Sequence, residues 1–138
     1  MTEEVAAERM PATVRAARFL LILQLALGLF GTAIMMPGIV AALGDPELLV
    51  LLLQPVLVVA LLGWLIFRWS SRGKWVRWCA LAFETVAAGA HLITAAMDGE
   101  FGWLSLIHPS TVLPLAIVIE LCTPSAARWF VRPLKRLP

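Results

Sequence analysis

Residues 78–97 read WCALAFETVAAGAHLITAAM, twenty residues with no Lys, Arg or Asp and only two ionisable groups of the carboxylate or imidazole kind, Glu84 and His91. A helix needs about 20 apolar residues to cross a hydrocarbon layer about 30 Å thick, so this run has the length of one crossing. Three more runs match it: Phe19 to Met36, Leu48 to Phe67 and Trp103 to Cys122, of 18, 20 and 20 residues. With 61% hydrophobic and 14% charged residues and a mean hydropathy of +0.89, the chain lies outside the range of soluble domains. Four helices take up most of its 138 residues and leave no room for a soluble domain. The expected fold is all-α: one four-helix antiparallel transmembrane bundle over 1–138, with an N-terminal tail over 1–18 and a basic interfacial tail over 123–138.

Charge sets the orientation. Arg9, Arg15 and Arg18 precede the first run; Arg68, Arg72, Lys74 and Arg77 fill the gap between the second and third; Arg128, Arg132, Lys135 and Arg136 follow the fourth. These are all 11 basic residues, and they fall on one side of a four-pass chain. The other two gaps hold Asp45, Glu47, Asp98 and Glu100 and no Lys or Arg. By the positive-inside rule both termini and the central loop face the cytoplasm, which predicts a multi-pass protein of the bacterial inner membrane. The basic loop and tail suit anionic lipid headgroups, with Arg68, Arg72, Lys74, Arg77, Arg128 and Arg132 as the contacts. Nucleic acid is the poorer partner for this charge, because the basic residues hug helix ends and no binding motif accompanies them. Trp64, Trp69, Trp75, Trp78 and Trp129 fall at the inner boundary and Trp103 at the outer one, as headgroup-level rings do.

The first run exceeds the 7 to 15 or so residues of a signal-peptide core, so a retained helix is expected although Val40-Ala41-Ala42 loosely fits a cleavage site. Cys79 and Cys122 fall at the inner ends of their helices, on the reducing side, where a structural disulfide is not expected. There is no CxxC, no paired His-Cys spacing and no Gly-rich phosphate loop, so neither an enzyme nor a metal site is expected.

Local signals divide the chain. Pro11 suits a helix start; Pro37-Gly38 is the expected end of the first helix; Asp45-Pro46-Glu47 combines a cap, a first-turn proline and an acid at the positive end of the helix dipole. The third helix is rich in small residues, among them Ala80, Ala82, Ala87, Ala88, Gly89 and Ala90, and is expected to be the most enclosed. Gly28 and Gly31 offer the first helix the same close approach. In the fourth run Pro109 and Pro114 predict regular helix only from Pro109, with irregular backbone over Phe101 to His108 that must be buried or face water. Thr123-Pro124 repeats the cap-plus-proline signal, which makes "PSAARWFVR" a short interfacial helix.

The stretches VRAARFLLILQLALGL (14–29) and TPSAARWF (123–130) resemble the two ends of small four-pass membrane proteins of actinobacteria, a group without an assigned activity. The resemblance spans about the outer quarters of the chain and implies architecture alone.

At 1.5 Å per residue the polar residues sort by depth. Gln24, Glu84 and Glu120 share an inner tier, roughly 9 to 12 Å from the basic boundary. Gln54, His91 and His108 share an outer one. Glu84 and His91 stand on one face of the third helix, seven residues being nearly two turns, with Ala87 and Ala88 between them. Inward-facing groups are therefore expected, since an ionisable residue at mid-membrane costs roughly 2.5 to 3.5 kcal/mol on insertion scales. Three functions compete. A non-enzymatic membrane component, self-associating or part of a larger complex, would use a protonated Glu84 bonded to Gln24 and a neutral His91 bonded to Gln54 as helix glue, at about 0.6 kcal/mol per contact. A small proton- or cation-coupled transporter acting as an oligomer would use Glu84 as carrier. A bis-His haem subunit would use His91 and His108, although no cofactor is the leading expectation. Glu120, near the basic tail, reads as an interfacial ion-pair partner.

Overall fold

The computed structural model describes residues 10–41, 44–71, 73–99 and 101–131, and their regular structure is entirely helical. Arg72 and Arg132, two of the expected headgroup contacts, and tail residues 1–9 and 132–138 lie outside the described residues. The helices are α1 (Ala12–Ala41), α2 (Pro46–Arg68), a 3-10 turn (Trp69–Ser71), α3 (Lys74–Met97), α4 (Trp103–Ile107), α5 (Pro109–Cys122) and α6 (Pro124–Val131). Two of them, α1 and α3, are long and apolar enough to cross a membrane. A third candidate is α5 with α6, if that pair, bent by 68°, counts as one span.

The boundaries follow local chemistry. The Asp45 carboxylate accepts from the Glu47 N–H at 3.0 Å, so α2 opens on the expected cap with Pro46 in its first turn. Gly99 leaves α3 at φ +72°, a conformation glycine adopts without strain. The Thr123 hydroxyl accepts from the Ala126 N–H at 3.3 Å and donates to the Glu120 carbonyl at 2.8 Å, closing α5 and opening α6. Pro37 does not end α1, which continues to Ala41. Proline there removes one hydrogen bond from the last turns, and the few residues beyond it need no further one. Nor is the segment before Phe19 a tail: Val14 and Ala17 are helical and fully buried.

Helix α1 packs between α2 and α5, and α5 packs between α1 and α3, so the spatial order is α2, α1, α5, α3. Consecutive α2 and α3 touch little. The most enclosed helix is therefore α5 rather than the small-residue helix α3, whose far side is bare: Val86, Ile93 and Met97 are exposed. At Gly28 the α1–α2 approach is so close that a Cβ would lie 2.9 Å from a Val59 methyl, while a Cβ at Gly31 would meet nothing.

Burial is concentrated at one end. The stripe Val14, Ala17, Leu21 of α1 faces Leu62 and Leu65 of α2, Val76 and Ala80 of α3, and Ile117 and Leu121 of α5. Helix α6 turns back across this end. Its Phe130 ring meets Trp69 edge-on at 5.3 Å and Trp129 at 5.0 Å, and the Ser125 hydroxyl lies 3.0 Å from that of Thr13. Trp69 (0% exposed) and Trp129 (7%) are thus core residues and not headgroup-level rings, because the 68° bend folds the apolar face of α6 inward. Trp64, Trp75, Trp78 and Trp103 remain exposed. Arg15 of α1, Arg68 of α2 and Lys74 of α3 lie at the ends that meet here, and Arg128 lies on α6, which crosses them, so the packed end is the basic end.

Candidate functional site: a buried carboxylate below a half-open cavity

On α3 the residues Ala80, Glu84 and Ala88 recur every four positions and are all buried. Small neighbours one turn above and below let the opposing helices close over Glu84, which is 0% exposed. From α1 the Gln24 Nε2 donates to Glu84 Oε2 at 3.3 Å. The expected inner tier thus holds for this pair. The other oxygens, Gln24 Oε1 and Glu84 Oε1, are buried and have no hydrogen-bond partner among the described residues. A carboxamide oxygen and an ionised carboxylate oxygen are acceptors only, so neither of these two atoms can satisfy the other in that state. Buried polar groups left in this condition are rare and costly.

Gln24 also lines a cavity of about 580 Å³. The cavity occupies the space that α2 and α3 leave open away from the basic end, with Leu27 and Gly28 of α1, Pro55, Val58 and Val59 of α2, Ala87 of α3, and Ser110, Leu113 and Pro114 of α5 in its walls. Pro55 and Pro114 stand inside helices, where each leaves the carbonyl four residues earlier without its helical donor. Gln54, expected beside His91, is found here, exposed and lining the same cavity.

His91 meets His108 instead, their rings stacked at 4.8 Å between centroids with 24° between planes. His108 sits in the break between α4 and α5, where its Nδ1 accepts from the Ser110 N–H at 3.2 Å and so caps α5. In a neutral ring that hydrogen bond puts the proton on Nε2. The irregular backbone expected over Phe101 to His108 is reduced to Phe101, Gly102 and the break at His108, because Trp103–Ile107 form α4, and side chains bond to backbone groups on both sides: Ser105 Oγ accepts from the Gly102 N–H at 3.1 Å and Thr111 Oγ1 donates to the Ser105 carbonyl at 2.8 Å. Sequence reasoning missed the capping role of His108, although a polar side chain directly before a helix-opening proline was the available signal.

Among the described residues Glu120 joins no cluster: it is half-buried and its carbonyl accepts from the Thr123 hydroxyl, while the tail from Arg132 on, where its expected ion-pair partners lie, is outside the described residues. Among the basic candidates, Arg77 is a structural tie. Its Nε donates to the Leu121 carbonyl at 2.9 Å, placing a cation at the negative end of α5, and its guanidinium lies 5.7 Å from the Trp78 ring centre. Arg128 Nε bonds back to the Pro124 carbonyl at 3.3 Å, and Arg68 and Lys74 are exposed. No group of three or more His, Cys, Asp or Glu side chains that could hold a metal occurs among the described residues. No family model matches the chain, and no curated protein or solved structure is significantly similar to it.

Proposed function

We propose that the protein is a four-pass component of a bacterial cytoplasmic membrane, with both termini in the cytoplasm, that has no catalytic role and works by association with copies of itself or with a larger membrane complex. Four passes draw support from the 23-residue length of α2, about 35 Å of helix, beside the two long apolar helices. The orientation draws support from the clustering of basic residues at the packed end. The observation that carries association is the second small-residue face of α3. Ala82 and Ala90 are exposed on the side opposite Ala80, Glu84 and Ala88, and flank Val86. Eight residues are a little over two turns, so the two alanines stand on one stripe on either side of Val86, and small residues on such a stripe let a second helix approach closely in lipid.

Exposed Cys79 borders this face, three residues before Ala82. The test is oxidative cross-linking in membranes through Cys79 with Cys122→Ser as background, together with mass measurement in mild detergent. Cross-linked dimers that Ala82→Phe and Ala90→Phe abolish are expected. A monomeric mass without cross-linking refutes self-association, and co-purification of a stoichiometric partner would then point to the larger complex.

One observation favours a second reading. Glu84 is wholly buried, yet its partner Gln24 lines the cavity. That is the arrangement a proton- or cation-coupled carrier requires: a titratable group shielded from lipid and one residue from a ligand-sized space. Proton-dependent flux in liposomes that disappears in a stably folded Glu84→Gln protein supports the carrier, and its absence in wild type removes it. The haem reading gains no support from His91 and His108. Stacked rings at this separation leave no space for a macrocycle between them, and the Nδ1 lone pair of His108 is committed to the α5 cap.

A further inference from the structure

We infer that the cavity between α2 and α3 binds an uncharged lipophilic alcohol, an apolar body that ends in a hydroxyl group and enters from the lipid. The site goes beyond both functional readings, since it serves an associating component as well as a carrier.

The walls select the body. A volume of about 580 Å³ lies within the 300 to 1,000 Å³ or so typical of small-molecule sites, and Leu27, Val58 and Leu113 are among the side chains that make the lining chiefly apolar. Leu27, Gln54 and Ser110 are wall residues that are also exposed, so the cavity is reached from outside the bundle. The lining also selects the charge. It holds no Asp, Glu, Lys, Arg or His. A charged ligand at membrane depth needs a counter-charge, and no wall residue supplies one, so the ligand these walls take is neutral.

The polar equipment selects the head. Three lining side chains are polar: Gln24, Gln54 and Ser110. Gln24 is engaged, its amide donating to Glu84 at 3.3 Å. Ser110 is bonded through its backbone N–H to His108, whereas its hydroxyl and the Gln54 carboxamide make no hydrogen bond among the described residues. Gln54 stands seven residues beyond Glu47, about 10 Å into the membrane on the four-pass placement. A hydrocarbon chain in the cavity would leave both groups without partners, a costly state away from water. Each presents a donor and an acceptor. An ether, ester or ketone oxygen accepts only; a hydroxyl gives and takes, and so matches either.

The test is photolabelling of the full chain in phosphatidylcholine liposomes with octanol that carries a diazirine, the adducts being mapped by mass spectrometry. Saturable labelling of the cavity walls is expected. Octanol should compete about fivefold or more better than octane or octylammonium at equal mole fraction in the bilayer, the margin of one net hydrogen bond. Leu113→Trp, which fills the cavity, should abolish the wall adducts, whereas Ile119→Trp on the exposed side of the same helix should leave them unchanged. Gln54→Leu combined with Ser110→Ala keeps the space and should make octanol and octane equal competitors. Circular dichroism and elution volume establish that each variant is folded, and the competition series in wild type decides alone if Leu113→Trp does not fold. Adducts spread without saturation over lipid-facing positions, octane or octylammonium competing as well as octanol, or a preference for octanol that survives in the double variant overturns the inference.

Discussion

The close approach of α1 to α2 can be tested by adding a single carbon. At Gly28 a Cβ would lie 2.9 Å from Val59 Cγ2. Carbon atoms rest at about 3.5 to 4.0 Å, so Gly28→Ala must open the α1–α2 seam by roughly 0.6 to 1.1 Å. The Val59 methyl cannot swing aside, because a β-branched residue in a helix has essentially one χ1 rotamer. Overpacking of this kind costs about 1 to 3 kcal/mol. Alanine also gains about 1 kcal/mol of helix propensity over glycine. Gly31→Ala shares that gain and meets no atom within 4 Å, which makes it the reference. The difference between the two variants therefore isolates the steric term, and should fall at about 1 to 3 kcal/mol. Val59→Ala removes the obstructing methyl, so the double variant with Gly28→Ala should recover most of that difference. Reversible unfolding in mixed micelles, or steric trapping in bicelles, measures all four proteins. If Gly28→Ala and Gly31→Ala prove equal within about 0.5 kcal/mol, or if Val59→Ala restores nothing, the α1–α2 seam does not run through Gly28.

Phe130→Ala removes the ring that meets both Trp69 and Trp129 and should cost about 3 to 5 kcal/mol in the same unfolding assay. His108→Ala deletes the α5 cap and should cost about 0.5 to 2 kcal/mol, with His108→Asn recovering most of it. The purified protein should show no Soret band, and a band lost on replacing His91 or His108 would revive the haem subunit. A reporter active only in the cytoplasm should work when fused after Pro138 and fail when inserted at Asp98; the reverse pattern would invert the orientation.

The apolar runs foretold the all-helical chain because hydrophobic length is written continuously in sequence, and caps at Asp45 and Thr123 were legible because their chemistry is local. Depth counting paired Gln24 with Glu84 across 60 residues, since residues equally far from a shared charged boundary lie level. It failed for Gln54 because level is not adjacent: α2 and α3 touch little and leave a cavity between them, so Gln54 opens onto the cavity and His91 finds His108. Neighbour order among helices depends on side-chain fit, as at Gly28 and Val59, and such pairs have no signature in a single sequence. Trp69 and Trp129 were misread for a related reason. An aromatic ring near a charged boundary is equally consistent with a headgroup and with a helix folded back over it, and only the 68° turn at Thr123 decides.

That turn has a consequence for the order of biosynthesis. Thr13, on a helix that leaves the ribosome well before α6, bonds to Ser125, 112 residues later. At about 5 to 20 residues per second the partner emerges roughly 6 to 22 s afterwards. Helix α2 can cover one flank of α1 soon after both have emerged, but the flank that α5 and α6 will occupy stays unfilled until those helices follow. During that interval the nascent chain holds a half-dressed α1 beside Glu84, which emerges before the α5 segment that encloses it. A translocon-associated chaperone that shelters polar intramembrane surfaces has its window there, and ribosome pausing downstream of residue 97 would lengthen the exposure.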